Sequence, residues 1–187
     1  MQNPARNWVT PEVVFQTRRL VCRRIAPEDA LAMLRVYGDS EAMRWVGDGS
    51  VLDLAQCHEW ISVTLHNYVA KGYGMFALEC GQSGSVIGFC GIVHPGGQTA
   101  AEIKYALHRA HWGQGLATEA VNALLEVAPR LGLRQVIATT APENLASHAV
   151  LQKAGMQRGD LVVNDDGYKT QLFNWHAEES AQAPAAD

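Results

Sequence analysis

Between an alternating run, A-E-I-K-Y-A-L-H (101–108), and a run with helical spacing, A-T-E-A-V-N-A-L-L-E-V-A (117–128), the chain reads R-A-H-W-G-Q-G-L. The apolar period changes from 2 to 3.6 across this junction, and two glycines sit at the change. A chain that passes so directly from strand to helix must pack the helix on a sheet, which commits it to a mixed α/β architecture. The same junction aligns the backbone N–H groups of Gly113, Gln114, Gly115, Leu116, Ala117 and Thr118 at the positive end of a helix dipole. That arrangement suits an anion such as a pyrophosphate. The small residues Gly115 and Ala117 let the anion approach the backbone closely.

Other readings of the glycines fit less well. In a G-x-G-x-x-G dinucleotide fingerprint Thr118 takes the third glycine position. The acidic residue expected about 20 residues on is missing, because 135–141 is an apolar strand. No G-K-[ST] follows, so a P-loop is excluded. A tight turn without a ligand is the plain alternative.

The rest of the chain extends the pattern. R-L-V-C-R-R-I (19–25) alternates like a half-buried strand. A helix follows from Pro27, with Leu31, Leu34 and Tyr37 at helical spacing. The run from 39 to 50, D-S-E-A-M-R-W-V-G-D-G-S, reads as a helical turn entering a loop. Asp53 and Gln56 form a capping box, whose helix is expected to bury Leu54, Cys57, Ile61, Leu65 and Tyr68 and to stop at Gly72. Strands at 74–80, 86–93 and 101–108 are joined by G-Q-S-G-S and H-P-G-G-Q, the chemistry of antiparallel hairpins. Pro129 and Gly132 end the helix after the glycine junction. A strand at 135–141, a helix closing on Gly155, and strands at 156–163 and 168–175 around an N-D-D-G turn complete the order.

This predicts an extended arm at 1–17, one α/β domain at 18–177 and a disordered tail at 178–187. The domain is a single mixed, mostly antiparallel sheet of about seven strands flanked by about four helices. At 187 residues the chain can bury a sizeable core. Its 15 Lys and Arg against 19 Asp and Glu leave a net charge of −4, with no basic excess to gather phosphate backbones, so nucleic acid is excluded as a partner. The basic residues form no tract for a membrane surface. No apolar run reaches the roughly 18 residues of a membrane span, and M-Q-N-P-A-R-N-W-V-T-P lacks the layout of a signal peptide. Cys22, Cys57, Cys80 and Cys90 contain no C-x-x-C pair, which predicts free thiols in a reducing cytoplasm. The seven histidines do not cluster with acids at metal-ligand spacing, so no metal is expected.

The runs E-I-K-Y-A-L-H-R-A-H-W-G-Q-G-L-A-T-E-A and P-E-N-L-A-S-H-A-V-L-Q-K-A-G-M, at their mutual spacing, resemble the GCN5-related N-acetyltransferase (GNAT) superfamily. The resemblance spans about residues 18–175 and is greatest to the ribosomal-protein N-terminal acetyltransferase branch. It implies an acetyl-CoA-dependent enzyme acting on a primary amine, as monomer or homodimer. The loop Gly113–Thr118 would hold the pyrophosphate, while the edge at Tyr105, Ala106 and Leu107 would bond the pantetheine arm. Strands 101–108 and 135–141 would splay apart to admit the thioester. The sequence departs from the family at Trp112, where Gln or Arg is common, and at Leu151, where many members carry a tyrosine acid.

Acetyl transfer needs a neutral amine, a stabilised oxyanion and a proton for the departing thiolate. An α-amino group, with a pKa of roughly 7.7–8.0, is already partly neutral near pH 7. A lysine amine near 10.4 must lose more than 3 units, about 4–5 kcal/mol, so it depends more on a base. Glu102 is the expected base, acting through water, with Glu119 second; the alternative for Glu102 is an ion pair with Lys104 on the same strand face. Asn144 and Ser147 share a helix face. The resemblance gives Asn144 to the cofactor arm and Ser147 to the sulfur as proton donor; the alternative for Asn144 is a simple N-cap. A backbone N–H at Ala106 or Leu107 would serve the oxyanion. Arg44, Trp45, Trp60, Tyr73 and Phe76 are expected to line the acceptor pocket, although aromatics at such spacing also build cores. A non-catalytic acyl-CoA-binding module of the same fold is the alternative to an enzyme.

Overall fold

The computed structural model describes residues 11–46, 49–164 and 167–177. Eight strands form one sheet: β1 (Val13–Gln16), β2 (Leu20–Arg24), β3 (Met75–Cys80), β4 (Val86–Val93), β5 (Glu102–Leu107), β6 (Gln135–Thr140), β7 (Gln157–Val163) and β8 (Lys169–His176). Their spatial order is β1-β2-β3-β4-β5-β6-β8-β7. Every neighbouring pair is antiparallel except β5 with β6. The eighth strand is β1, which lies within the segment expected as an extended arm. It pairs with β2 through Phe15 and Cys22. Residues 1–10, the tail 178–187 and the two aspartates of N-D-D-G lie outside the described residues. The remaining turn closes with Gly167 N–H donating to Asn164 O at 2.9 Å.

The described residues form five α-helices beside the sheet: α1 (Ala30–Tyr37), α2 (Ser40–Met43), α3 (Leu54–Lys71), α4 (Leu116–Val127) and α5 (Leu145–Lys153). The capping box at α3 forms as expected, with Gln56 N–H donating to Asp53 and Asp53 N–H to the Gln56 side chain, each at 2.8 Å. The buried face of α3 is Cys57, Ile61, Thr64 and Tyr68. Leu54 and Leu65 are 39% and 36% exposed, which corrects their expected burial. The helix is held at its far end by the Tyr68 hydroxyl, which bonds the Met75 carbonyl and accepts from Ile25 N–H at 3.0 Å.

Two apolar layers flank the sheet. Ile25, Met33, Val36, Ile61 and Phe89 pack on the α1–α3 side. Leu78, Ile92, Ile103, Leu124 and Phe173 pack on the α4–α5 side. Gly88 sits where β4 presses on β5; a Cβ there would lie 2.5 Å from Ala106 O and 2.4 Å from Leu107 Cδ2. Only glycine allows that approach. No helix among the described residues is long and apolar enough to cross a membrane.

Candidate active site

The parallel pair is also the point where the sheet opens. β5 and β6 share a single registered pair, Glu102 with Ile137. Ile137 N–H donates to Ala101 O at 2.9 Å. Past that rung the strands diverge. On the opposite edge of β5, His108 N–H donates to Ile87 O at 2.9 Å. Backbone groups alternate in direction along a strand, so Ala106 N–H is also turned to β4, whereas Tyr105 and Leu107 face the gap. Of the two N–H groups expected for an oxyanion, that of Leu107 faces the gap and that of Ala106 faces β4. A cavity of about 1120 Å³ runs through the gap.

One end of the cavity is the glycine junction. Gly113 and Gly115 have φ of +70° and +74°, the left-handed region that β-carbon-bearing residues avoid. Gly115 caps α4 without a side-chain acceptor, so the first-turn N–H groups of Leu116, Ala117 and Thr118 have no capping side chain. Gly113, Gly115, Leu116, Ala117 and Thr118 line the cavity, and Gln114 does not. Instead the Gln114 carbonyl accepts from Arg19 Nη1 at 2.8 Å. Glu119 faces away from the cavity and holds the β1–β2 turn: it accepts from Thr17 Oγ1 at 2.6 Å, Arg19 N–H at 3.0 Å and Arg19 Nε at 2.6 Å. Desolvation pushes its pKa up, but these bonds and the Arg19 charge together hold it below the ordinary value. Trp112, unexplained by the sequence, donates its indole N–H to Leu107 O at 2.7 Å. It thereby takes up a carbonyl on the open edge of β5.

The α5 wall carries Asn144 and Ser147. Asn144 is the N-cap, its side chain accepting from Ser147 N–H at 3.1 Å, and both residues line the cavity. The Ser147 hydroxyl lies 2.6 Å from the Tyr105 hydroxyl, so strand and helix meet through a hydrogen bond between side chains. Burial pushes the Tyr105 phenol well above its usual pKa, which keeps it protonated. Across the gap, Thr140 Oγ1 is buried with no partner among the described residues, and Thr140 lines the cavity. Leu151 also lines it and belongs to the core, 1% exposed.

Glu102 stands in the fork. Its carboxylate accepts from Lys104 Nζ at 2.5 Å, from Thr139 N–H at 3.2 Å, from the Thr139 hydroxyl, and from Gln98 Nε2 at 3.2 Å. It is 3% exposed and absent from the cavity wall, whereas Lys104 and Thr139 are on that wall. The ion pair with Lys104, the alternative read from the sequence, is thus formed. The carboxylate bridges β5 to β6 just beyond their last shared rung.

Arg44, Trp45, Trp60 and Tyr73, the residues expected around an acceptor, line the cavity together with Tyr37. Trp45 and Trp60 are each 41% exposed. Tyr37 and Trp60 rings lie 5.5 Å apart, and the Arg44 guanidinium lies 5.3 Å from the Trp45 ring. Phe76 does not line it; 1% exposed, it stacks on Tyr68 in the core, which corrects its expected role. Polar groups on the cavity wall that the sequence does not single out as such include the Tyr105 hydroxyl, Thr140, Lys104 and His94. His94 opens the H-P-G-G-Q turn, and that local signal was available. The others needed the faces of β5 and β6 to be known. Among the described residues no group of three or more His, Cys, Asp or Glu is arranged to hold a metal ion.

Comparison with known proteins gives a consistent picture. Residues 19–157 match the acetyltransferase (GNAT) domain family. The chain is 29% identical over 162 residues to the uncharacterized N-acetyltransferase p20 of Bacillus licheniformis, covering 84% of this chain and 90% of that protein. It is 32% identical over 154 residues to the uncharacterized protein YkkB of Bacillus subtilis (81% and 88% covered). An acetyltransferase structure from Agrobacterium tumefaciens superposes with a TM-score of 0.75 at 27% identity, covering 87% of this chain and 94% of that one. RimL, a ribosomal α-N-protein acetyltransferase solved with coenzyme A, shares the fold: TM-score 0.75, 18% identity, 88% and 98% covered.

Proposed function

The chain belongs to the GNAT acetyltransferase family, and from that premise we propose that it moves an acetyl group from acetyl-CoA directly to a primary amine through a tetrahedral intermediate. Within the family we assign it to the ribosomal-protein N-terminal acetyltransferase branch, on the two motif runs it resembles. The acceptor is a protein N-terminus or a small-molecule amine.

The observation that carries this reading is one continuous cavity joining an uncapped helix N-terminus to an open strand edge. The N-terminus of α4 behind Gly113 and Gly115 supplies unpaired N–H groups for a pyrophosphate. The gap edge of Tyr105 and Leu107 supports a pantetheine arm as an added strand would. The buried Thr140 hydroxyl, lacking a protein partner, gains one from a polar group in the gap.

The acetyl thioester supplies the electrophilic carbon. Leu107 N–H donates to the oxyanion. With Tyr105 donating to Ser147 Oγ, the Ser147 proton points at the sulfur; as it passes to the leaving thiolate the Tyr105 proton passes to Ser147 Oγ, and water returns a proton to the Tyr105 oxygen. The phenol that many relatives carry on the last helix, at the position of Leu151, is replaced here by a phenol from the facing strand. Glu102 keeps Lys104 and Thr139 in place at the fork.

Acetyl-CoA is expected to raise the melting temperature, and CoA release in a screen of free amines and N-terminal peptides identifies the acceptor. Ser147→Ala is expected to lower kcat while acetyl-CoA still binds. Failure of both acetyl-CoA and CoA to stabilise the protein refutes the reading.

A further inference from the structure

His94 follows β4, and a 3-10 turn at Pro95–Gly97 brings the chain back beneath its ring. Gly97 N–H donates to His94 O and Gln98 N–H to Pro95 O, both at 3.1 Å. The turn leaves the Gln98 carbonyl 3.0 Å from His94 Nδ1. On the other side of the ring, Nε2 lies 2.8 Å from the Tyr73 hydroxyl. A carbonyl oxygen only accepts, so Nδ1 carries the ring proton and Nε2 holds the lone pair. The Tyr73 hydroxyl must then be the donor to Nε2. His94 and Tyr73 both line the cavity. His94 is half-buried, and Tyr73 is 8% exposed.

The arrangement is an oriented base with its lone pair directed at a hydroxyl in the cavity. Glu102 differs on both counts, being off the wall with its oxygens occupied by four donors. We propose that His94, acting through the Tyr73 hydroxyl, takes the proton from the ammonium group of the acceptor.

The proposal rests on the N-acetyltransferase reading and assigns its base. In the step, an N–H bond of the ammonium breaks and its proton passes to the Tyr73 oxygen. The Tyr73 O–H bond breaks at the same time, and that proton passes to His94 Nε2. The amine keeps the electron pair needed to attack the thioester, and Tyr73 ends as it began. His94 becomes an imidazolium whose Nδ1–H still donates to Gln98 and whose Nε2–H now donates to Tyr73; water at its exposed side takes the proton away. Burial raises the Tyr73 phenol above its usual pKa, so it passes a proton on and does not accumulate as phenolate. Charged groups on the surrounding elements are Glu59 and Lys71 on α3 and Lys104 on β5, all on the cavity wall, with Glu102 reached from Gln98 through its side-chain amide.

The test uses the full chain, acetyl-CoA and two accepted amines, one strongly basic alkylamine and one weakly basic arylamine that is neutral at the assay pH. His94→Ala and Tyr73→Phe are each expected to lower kcat for the alkylamine, His94→Ala by about 10²–10⁴-fold. The loss shrinks for the arylamine, which has no ammonium proton to give up. The acetyl-CoA-dependent rise in melting temperature stays as in the unsubstituted protein. A purely structural role would depress both amines alike, and that result overturns the proposal. So does either variant retaining kcat for the alkylamine within about threefold. Absence of acetyl-CoA stabilisation in the unsubstituted protein is a different failure, that of the acetyltransferase reading itself. Tyr73→Phe preserves the ring and its packing, so the test stands if His94→Ala does not fold.

Discussion

Gly88→Ala is a sensitive test of how the fold positions the chemistry, because Gly88 does not line the cavity. A Cβ at Gly88 would lie 2.5 Å from Ala106 O and 3.0 Å from Leu107 Cα, against an ordinary contact of 3.4 Å or more. The nearer neighbour is backbone and must give way by about 0.9 Å. The Leu107 Cδ2 atom, at 2.4 Å, can rotate away, but Ala106 O cannot move without β5. Overpacking of this kind costs about 1–3 kcal/mol of stability. β5 carries the Leu107 N–H into the gap, and displacement of a reacting geometry by about 1 Å costs about 10²-fold in rate. The expected result is therefore a moderate fall in stability with a fall in kcat/KM of about 10²-fold. Urea unfolding gives the first quantity and CoA release with an accepted amine, below the melting transition, gives the second. Leu20→Ala is the control: Leu20 is 1% exposed on β2, away from the gap, and its truncation costs about 2–5 kcal/mol. Its kcat/KM should stay within about twofold of the unsubstituted protein. If Gly88→Ala loses stability but keeps its kcat/KM, the claim that β5 sets the reacting geometry is wrong.

Three further outcomes are expected. Trp112→Phe keeps a ring but loses the bond to Leu107 O, worth about 0.5–1.5 kcal/mol; the KM for acetyl-CoA should rise about 2–10-fold with kcat nearly unchanged. Asn144→Ala removes the cap of α5, a loss of about 0.5–2 kcal/mol, and frees the first turn that carries Ser147, so thermal unfolding and kcat should both decline. Glu119 has a folded-state pKa below its ordinary 4.5, despite the opposing desolvation, so its stabilisation is complete above that value and is lost as pH falls through the lower folded value. Melting temperatures below pH of about 4.5 should drop less steeply in Glu119→Gln than in the unsubstituted protein.

The features legible from sequence were those with a local cause. The Asp53 and Gln56 box, the period change at 101–128 and the glycine junction each depend on neighbours within a few residues. β1 escaped notice because four residues carry too little period, and its identity comes from pairing with β2. Leu54 and Leu65 fit a helical stripe, but the face of α3 that is buried, chiefly against α1, is Cys57, Ile61, Thr64 and Tyr68. Phe76 and Tyr73 look alike as aromatics near a glycine, and only the three-dimensional packing separates a core stack from a cavity wall. Tyr105 and Ser147 lie 42 residues apart in the chain, so no spacing rule could bring their hydroxyls together.

The single rung between β5 and β6 divides the backbone hydrogen-bond ladder of the sheet into two parts. β1–β5 form the first with α1, α3 and α4, and β6, β8 and β7 form the second with α5. Besides the rung, the side-chain bridges at the fork, contacts between α4 and α5 and the shared apolar layer of Ile92, Ile103, Leu124, Leu151 and Phe173 join them. Such a division favours sub-global opening of the C-terminal unit, visible as amide hydrogen exchange there that is faster than in β2–β4. A ligand lodged between the lips bonds both units at once. Acetyl-CoA should then slow exchange in β7 and β8, whose amides it never touches, so that the substrate acts as a temporary strand completing the cooperativity of the sheet.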